Sequence, residues 1–352
     1  MSEPTSTFPA TLDWERPPRP QVWVRRPARP RWWLYGLFLL LTLFSTTVVG
    51  ARMQFYFLHH QPVFSLTDDS LSLFPIGWIA DDPRRLLLGL PFSLTLMFIL
   101  FAHEMGHYLY ARHYRVYATP PFFVPFPSLI GTLGAFIRIK GSIPSRAALF
   151  DIGIAGPIAG FIPTCVALVY GLSLSRPMAG SAGSDIQLGF PLAFHLAAHL
   201  LIPAVPLSAV SLHPIAAAAW VGMFATALNL LPGGQLDGGH IVFSISPRLH
   251  RWISILTVVA LIPFGKFLWT GWFLWAVLLA LTLRHPNVPR YPEVAGARRG
   301  LALSAALVLM LAFTPAPFTH SSGREVWPQM RDGAVGTFRD FRDVVRHLAH
   351  HP

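Results

Sequence analysis

The chain has 352 residues, 53% of them hydrophobic and only 12% charged, with a mean hydropathy of +0.49. A soluble domain carries about twice that charged fraction, so composition excludes an ordinary soluble enzyme and points to a membrane protein. The +11 balance is nearly all arginine, much of it in flanks such as Arg16, Arg19, Arg25, Arg26, Arg29 and Arg31. That placement orients a membrane protein and disfavours nucleic acid as a partner. The single cysteine, Cys165, permits no internal disulfide and no zinc-finger spacing.

In chain order, residues 1–32 read as an Arg/Pro-rich cytoplasmic tail whose Trp14, Trp23, Trp32 and Trp33 approach an aromatic interface belt. Residues 33–51 form the first transmembrane helix, with too long a leader for a cleaved signal peptide. Further apolar runs of spanning length cover Leu86 to Arg112, Ala147 to Leu174 and His213 to Leu231. The run from Ile253 to Leu283 is too long for one straight span and is interrupted by Pro263, Gly265 and Lys266, which predicts two short spans or one broken helix. Leu301 to Phe313 is a short last candidate. The expected fold is an all-α polytopic membrane protein of about six to seven transmembrane helices with a small membrane-associated β-hairpin. A catalytic core at 86–250 encloses a hairpin or loop at 113–147. C-terminal transmembrane helices at 251–315 and a tail at 316–352 follow.

Arginine placement (Arg112, Arg115, Arg248, Arg251, and later Arg284, Arg290, Arg298 and Arg299) puts both chemical motifs near the cytoplasmic side, with Arg84 and Arg85 against the rule. The first motif is His103-Glu104-Met105-Gly106-His107, near the end of the second span. Residues four apart share a helix face, so the two imidazoles can address one zinc ion while Glu104 stands beside it as general base. The bland reading is a pair of histidines capping a helix or facing a polar cavity.

Among the 16 acidic residues, only Glu104, Asp151 and Asp237 lie in or beside spanning segments. Asp237 belongs to Asn229-Leu-Leu-Pro232-Gly233-Gly234-Gln235-Leu236-Asp237-Gly238-Gly239-His240, a helix broken at membrane depth, which is tolerated mainly where it lines a cavity. Alone it reads as an N-cap for a helix starting at Gly238. Beside a two-histidine site it is the best third ligand, because catalytic zinc takes about three protein ligands and a water. Asn229 could hold substrate backbone or stabilise an oxyanion, or simply link two buried helices.

These segments resemble the site-2 protease family of intramembrane zinc metalloproteases, in which a His-Glu-x-Gly-His helix pairs with a later Asn-x-x-Pro-x-x-x-Leu-Asp-Gly-Gly segment. The likeness runs through Phe150-Asp151-Ile-Gly153-Ile-Ala-Gly156-Pro157-Ile-Ala-Gly160 and His213-Pro-Ile-Ala. The resemblance implies one Zn²⁺ per chain on His103, His107 and Asp237, Glu104 as catalytic base, a strengthened role for Asn229, and an active site in the cytoplasmic half of the membrane. It also implies regulated intramembrane proteolysis of a single-span membrane protein: an anti-sigma factor, a membrane-anchored transcription factor or a remnant signal peptide. The alternatives are a proteolytically inactive relative that binds membrane partners, and an intramembrane metal transporter. A zincin with glutamate as third ligand fails because only Glu293 and Glu325 follow Glu104, both outside apolar spans.

Thr119 to Ser145 holds Pro120, Pro121, Pro125 and Pro127, which forbid a long helix, and Gly134 to Lys140 alternates like a strand. A free edge there could add an unwound substrate by strand pairing. The bland reading is a connecting hairpin whose Arg138 and Lys140 touch headgroups. Asp151 reads as structural, a cap or a partner for Arg146, and Gly156 with Gly160 as a close-packing face. His195 and His199 lie on an expected interfacial helix, Leu192 to Leu201. Val335, Phe338, Phe341, Val345 and Leu348 recur near helical spacing in the last tail. Asp13, Glu15 and the N-terminal tryptophans favour a bacterial plasma membrane, with plastid and archaeal origins left open.

Overall fold

Apolar runs far too long for strands leave each backbone polar group to be satisfied within its own helix. The computed structural model describes residues 31–64, 71–72, 74–178 and 188–319. The expectations for the N-terminal tail and for a helix over 335–348 lie outside the described residues. Helix α1 (Trp32–Leu58) continues beyond the expected Ala51. A short helix α2 (Ile76–Asp81) and a tight turn of 3-10 geometry (Pro83–Gly89) lead into α3 (Leu90–His113). After α4 (Arg146–Ser173) come α5 (Leu192–Leu201), α6 (Pro214–Asn229), α7 (Asp237–Ile245), α8 (Pro247–Phe267), α9 (Gly271–Leu281) and α10 (Ala297–Ala312).

Among the described residues, four stretches are long and apolar enough to cross a membrane: Trp32–Leu58, Pro83–His113, Arg146–Ser173 and Pro247–Phe267. At 16 residues, α6 reaches only about 24 Å, short of a hydrocarbon core of about 30 Å. The C-terminal run divides into α8 and α9 as a hairpin, but not where the sequence suggested. Pro263, Gly265 and Lys266 lie inside α8, and the break falls after Phe267. Gly265 is instead the place where the Phe273 ring of α9 lies against α8.

At the centre, α3, α4 and α6 pack on one another, with α1 outside α3 and with α7 and α10 against α4. Small residues permit this. Ala216, Ala217, Ala218 and Ala219 of α6 are wholly buried, and a Cβ on Gly171 of α4 would meet the Ala216 backbone nitrogen at 2.3 Å. Between helices without a hydrophobic drive, such backbone approach supplies the dispersion contact that holds the bundle.

Two short antiparallel strands, β1 (Phe122–Pro125) and β2 (Thr132–Phe136), form the expected hairpin. The strand begins and ends earlier than the Gly134–Lys140 alternation suggested, and beyond it Ile139 makes only a bridge to Ala118. Gly131, in the turn, has φ of 78°. It approaches α1 so closely that the Ser45 hydroxyl donates to its carbonyl at 2.6 Å. A second two-residue pair, β3 (Arg176–Pro177) with β4 (Val210–Ser211), lies between α4 and α6 in the chain. The segment Leu192–Leu201 is helical, as the apolar spacing suggested.

Candidate metal centre

His103 and His107 lie one turn apart on α3, both buried, with Glu104 buried beside them. Helix α4 forms the floor under both rings. A Cβ on Gly156 would fall 2.1 Å from Nε2 of His107, and one on Gly160 would fall 2.9 Å from Cβ of His103. Gly106 completes the fit, since a side chain there would meet the Ala155 carbonyl at 2.4 Å. The glycine face expected to pack closely is therefore shaped to the imidazoles.

The third member arrives from the break after α6. That helix stops at Asn229, and Leu230 to Leu236 run without regular structure before α7 begins. Non-helical backbone at this depth needs internal partners. Helix α8 provides two: Nε2 of His250 is 2.9 Å from the Gly234 carbonyl, and the Gly234 N–H donates to the Ser254 hydroxyl at 3.2 Å. Asp237 is the first residue of α7, whose N-cap is Leu236, so its carboxylate does not cap the helix. It turns toward the histidines instead.

Nε2 of His103, Nε2 of His107 and Oδ2 of Asp237 form a nearly equilateral triangle. The carboxylate oxygen is 3.3 Å from the first nitrogen and 3.2 Å from the second, and the nitrogens are 3.2 Å apart. Charge-assisted hydrogen bonds draw such atoms to about 2.7–2.9 Å. One face of a tetrahedron with metal–ligand distances of about 2.0–2.1 Å has edges of about 3.3 Å, so the triad fits a zinc ion better than a hydrogen-bonded cluster.

Tautomer chemistry agrees. Nδ1–H of His107 donates to the Ile152 carbonyl at 2.7 Å, which leaves Nε2 of the neutral ring as a lone pair. Nε2 of His103 and the Asp237 carboxylate face the same point as that lone pair, a donor set suited to a cation. Among the described residues, this is the one cluster of histidine, cysteine or acidic side chains able to hold a metal ion.

The amide Nδ2 of Asn229 lies 3.4 Å from Nε2 of His103, at the rim of the triangle. The Glu104 carboxyl lies beside the backbone N–H of Ile137, the residue after β2. Arg138 N–H donates to the Thr119 hydroxyl, and Lys140 N–H to the Tyr117 carbonyl. The even-numbered groups are thus turned back toward the first half of the hairpin, and the odd-numbered edge carrying Ile137 faces the site.

Asp151 neither caps α4 nor pairs with Arg146. Its partner is Arg298 of α10, not Arg146: Nε and Nη2 of Arg298 reach its two oxygens at 2.8 Å each. The Tyr114 hydroxyl, just past α3, donates to the same carboxylate. Ser145, not Asp151, caps α4. Nothing in the sequence singled out Ile152, because it acts through a backbone carbonyl that every residue carries, whereas Ile137 lies in the stretch already read as a free edge. Arg298 was visible only as a flanking charge. His195 and His199 stay apart from the centre, on α5.

A membrane helix bundle with two buried imidazoles and a partly exposed carboxylate meeting at its centre, and a glutamate next to the first imidazole, defines a membrane protein of zinc-centre type. The sequence profile of peptidase family M50 matches residues 91–264, the stretch that carries every element of this centre. Residues 91–264 thus form a domain of that family, the site-2 proteases. It is 31% identical over 315 residues to probable zinc metalloprotease EGY2, chloroplastic, of Arabidopsis thaliana, covering 86% of this chain and 52% of that protein. It is 29% identical to EGY1 of Arabidopsis thaliana (90% and 58% covered) and 29% identical to EGY1 of Oryza sativa subsp. japonica (83% and 52%), both also named as probable chloroplastic zinc metalloproteases. The chain thus spans about half the length of the curated relatives it matches. Family membership implies Zn²⁺ as the metal, and the triad's dimensions suit it.

Proposed function

We propose that the chain is an intramembrane zinc endopeptidase that hydrolyses a peptide bond within or near the transmembrane segment of a single-span membrane protein. The observation that carries this reading is the triangle of His103, His107 and Asp237 with 3.2–3.3 Å sides, beside the buried Glu104. In the proposal His103, His107 and Asp237 hold one zinc ion, which when bound acidifies a water and polarises the scissile carbonyl. Glu104 accepts the water's proton on its carboxylate and delivers it to the leaving amine. Asn229 donates its amide to substrate backbone or to the developing oxyanion.

A helical substrate hides its carbonyls in internal hydrogen bonds and must be unwound to react. The edge that continues from β2, with Ile137 N–H beside Glu104, is suited to hold the unwound segment as an added strand. Packing of α3, α4 and α6 buries both imidazoles, while the Asp237 carboxylate stays partly exposed, which leaves a way in for water.

The substrate classes that fit are an anti-sigma factor, a membrane-anchored transcription factor or a remnant signal peptide. The finer topology of six to seven spans, with the site toward the cytoplasm, also belongs to this proposal. It counts α6 with α7, α9 and α10 as contributors to further crossings. For compartment we propose a bacterial plasma membrane. Its rival is a plastid membrane, favoured by the relatives' names.

The test is cleavage of a panel of tagged single-span proteins by the full chain in proteoliposomes. The proposal expects a fragment ending inside a transmembrane sequence with wild type, and none with Glu104→Gln at equal zinc content. Cleavage undiminished in Glu104→Gln contradicts the assigned base. Zinc-loaded wild type that binds panel members without cutting any favours the inactive-relative reading.

A further inference from the structure

Away from the metal centre, a polar cavity of about 420 Å³ opens where α4, α8 and α10 begin. Its lining includes Arg146, Arg290 and Arg299, the hydroxyl residues Ser244 and Ser246, and one acid, Glu293. Glu293 is ion-paired with Arg290, so the cavity keeps a surplus of positive charge. Nε of Arg146 is buried and has no hydrogen-bond partner, a costly state for a charged donor. The neighbouring Arg298 is committed to Asp151 and does not contribute.

The helix amides are largely used. Arg146 N–H and Ala147 N–H donate to the carbonyls of Pro289 and Pro292, Ala148 N–H donates to the Ser145 hydroxyl, and Leu249 N–H donates to Ser246. The donors on offer are therefore guanidinium groups, whose forked geometry suits phosphate oxygens. The helix starts add a favourable field for an anion.

We propose that this cavity binds a phosphate-bearing anion held by Arg146, Arg299 and Arg290, its source either the headgroup of an anionic phospholipid or free phosphate. A lipid source suits the location. Both α4 and α8 are long enough to span, so their first residues stand where headgroups lie. Half-exposed Val294 and exposed Ile245 at the mouth give an acyl chain an apolar exit.

The test is thermal unfolding of the full detergent-purified chain with dioctanoyl phosphatidylglycerol, dioctanoyl phosphatidylcholine or sodium phosphate. Phosphatidylglycerol is expected to raise the wild-type Tm by about 5 °C near saturation, with phosphatidylcholine giving less than about a third of that shift. Arg146→Gln and Arg299→Gln should lose most of the shift while their unliganded Tm stays near wild type. A match by sodium phosphate supports the site and names free phosphate as the source. If Arg146→Gln does not fold, Arg299→Gln and Arg290→Gln decide, since both side chains are exposed. Equal shifts with phosphatidylcholine and phosphatidylglycerol, no shift with any probe, or full shifts in the variants would overturn the proposal.

Discussion

Nδ1 of His107 donates to the backbone carbonyl of Ile152 across 2.7 Å, so the ring that faces Asp237 is fixed by α4 rather than by its own helix. Metal affinity in this chain therefore depends on how α4 lies against α3. Gly156 is the point of closest approach, with no room for a Cβ at 2.1 Å from His107 Nε2. Gly156→Ala should displace the ring and lower zinc affinity at least about tenfold, as loss of an orienting partner does. Gly36→Ala, in open space, should leave affinity unchanged. Zinc titration with a competing chelator checks both.

The Asp151–Arg298 pair, with Tyr114 on the same carboxylate, ties α4 to α10 and to the end of α3. Arg298 is about a third exposed, so the coupling is smaller than that of a fully buried pair. Arg298→Gln should cost about 2 kcal/mol by stranding the carboxylate. Asp151→Asn combined with Arg298→Gln should cost less than the sum of the single changes. Unfolding of the four proteins in one detergent measures the cycle.

Ile137→Pro removes the N–H that lies beside Glu104 and blocks one hydrogen bond of the edge, whereas Ile137→Val keeps both. Cleavage of any substrate found in the panel should fall more than about tenfold with proline, at unchanged zinc content, and stay near wild type with valine. Loss of zinc in the proline variant would make the segment structural.

Asn229 is close to His103 without being part of the triangle. Asn229→Ala should lower kcat about a hundredfold through the lost donor while zinc content stays at the wild-type level. Steady-state kinetics beside metal analysis separates this outcome from a role in linking helices, in which stability would fall and kcat per folded enzyme would not.

The metal centre was legible because its chemistry is local: a four-residue histidine spacing and only two aspartates in or beside spanning segments leave few other partners for a zinc ion. Asp237 illustrates the limit, since taken by itself it suggested an N-cap, and only the two-histidine motif turned the reading toward a ligand. Its position as the first residue of α7, with Leu236 as N-cap, shows which role the fold leaves open. Pro263 misled because a proline inside an apolar helix is tolerated when neighbours re-satisfy the freed carbonyl. Arg298 could not be matched to Asp151, 147 positions earlier, because no local pattern records which long-range charge a buried carboxylate meets.

The most direct measurement is zinc per chain in detergent-purified wild type and Asp237→Ala after identical metal supplementation and desalting. The account predicts about one zinc ion per wild-type chain and far less in the variant. Wild type without zinc, or a variant with full occupancy, would contradict a centre built from His103, His107 and Asp237.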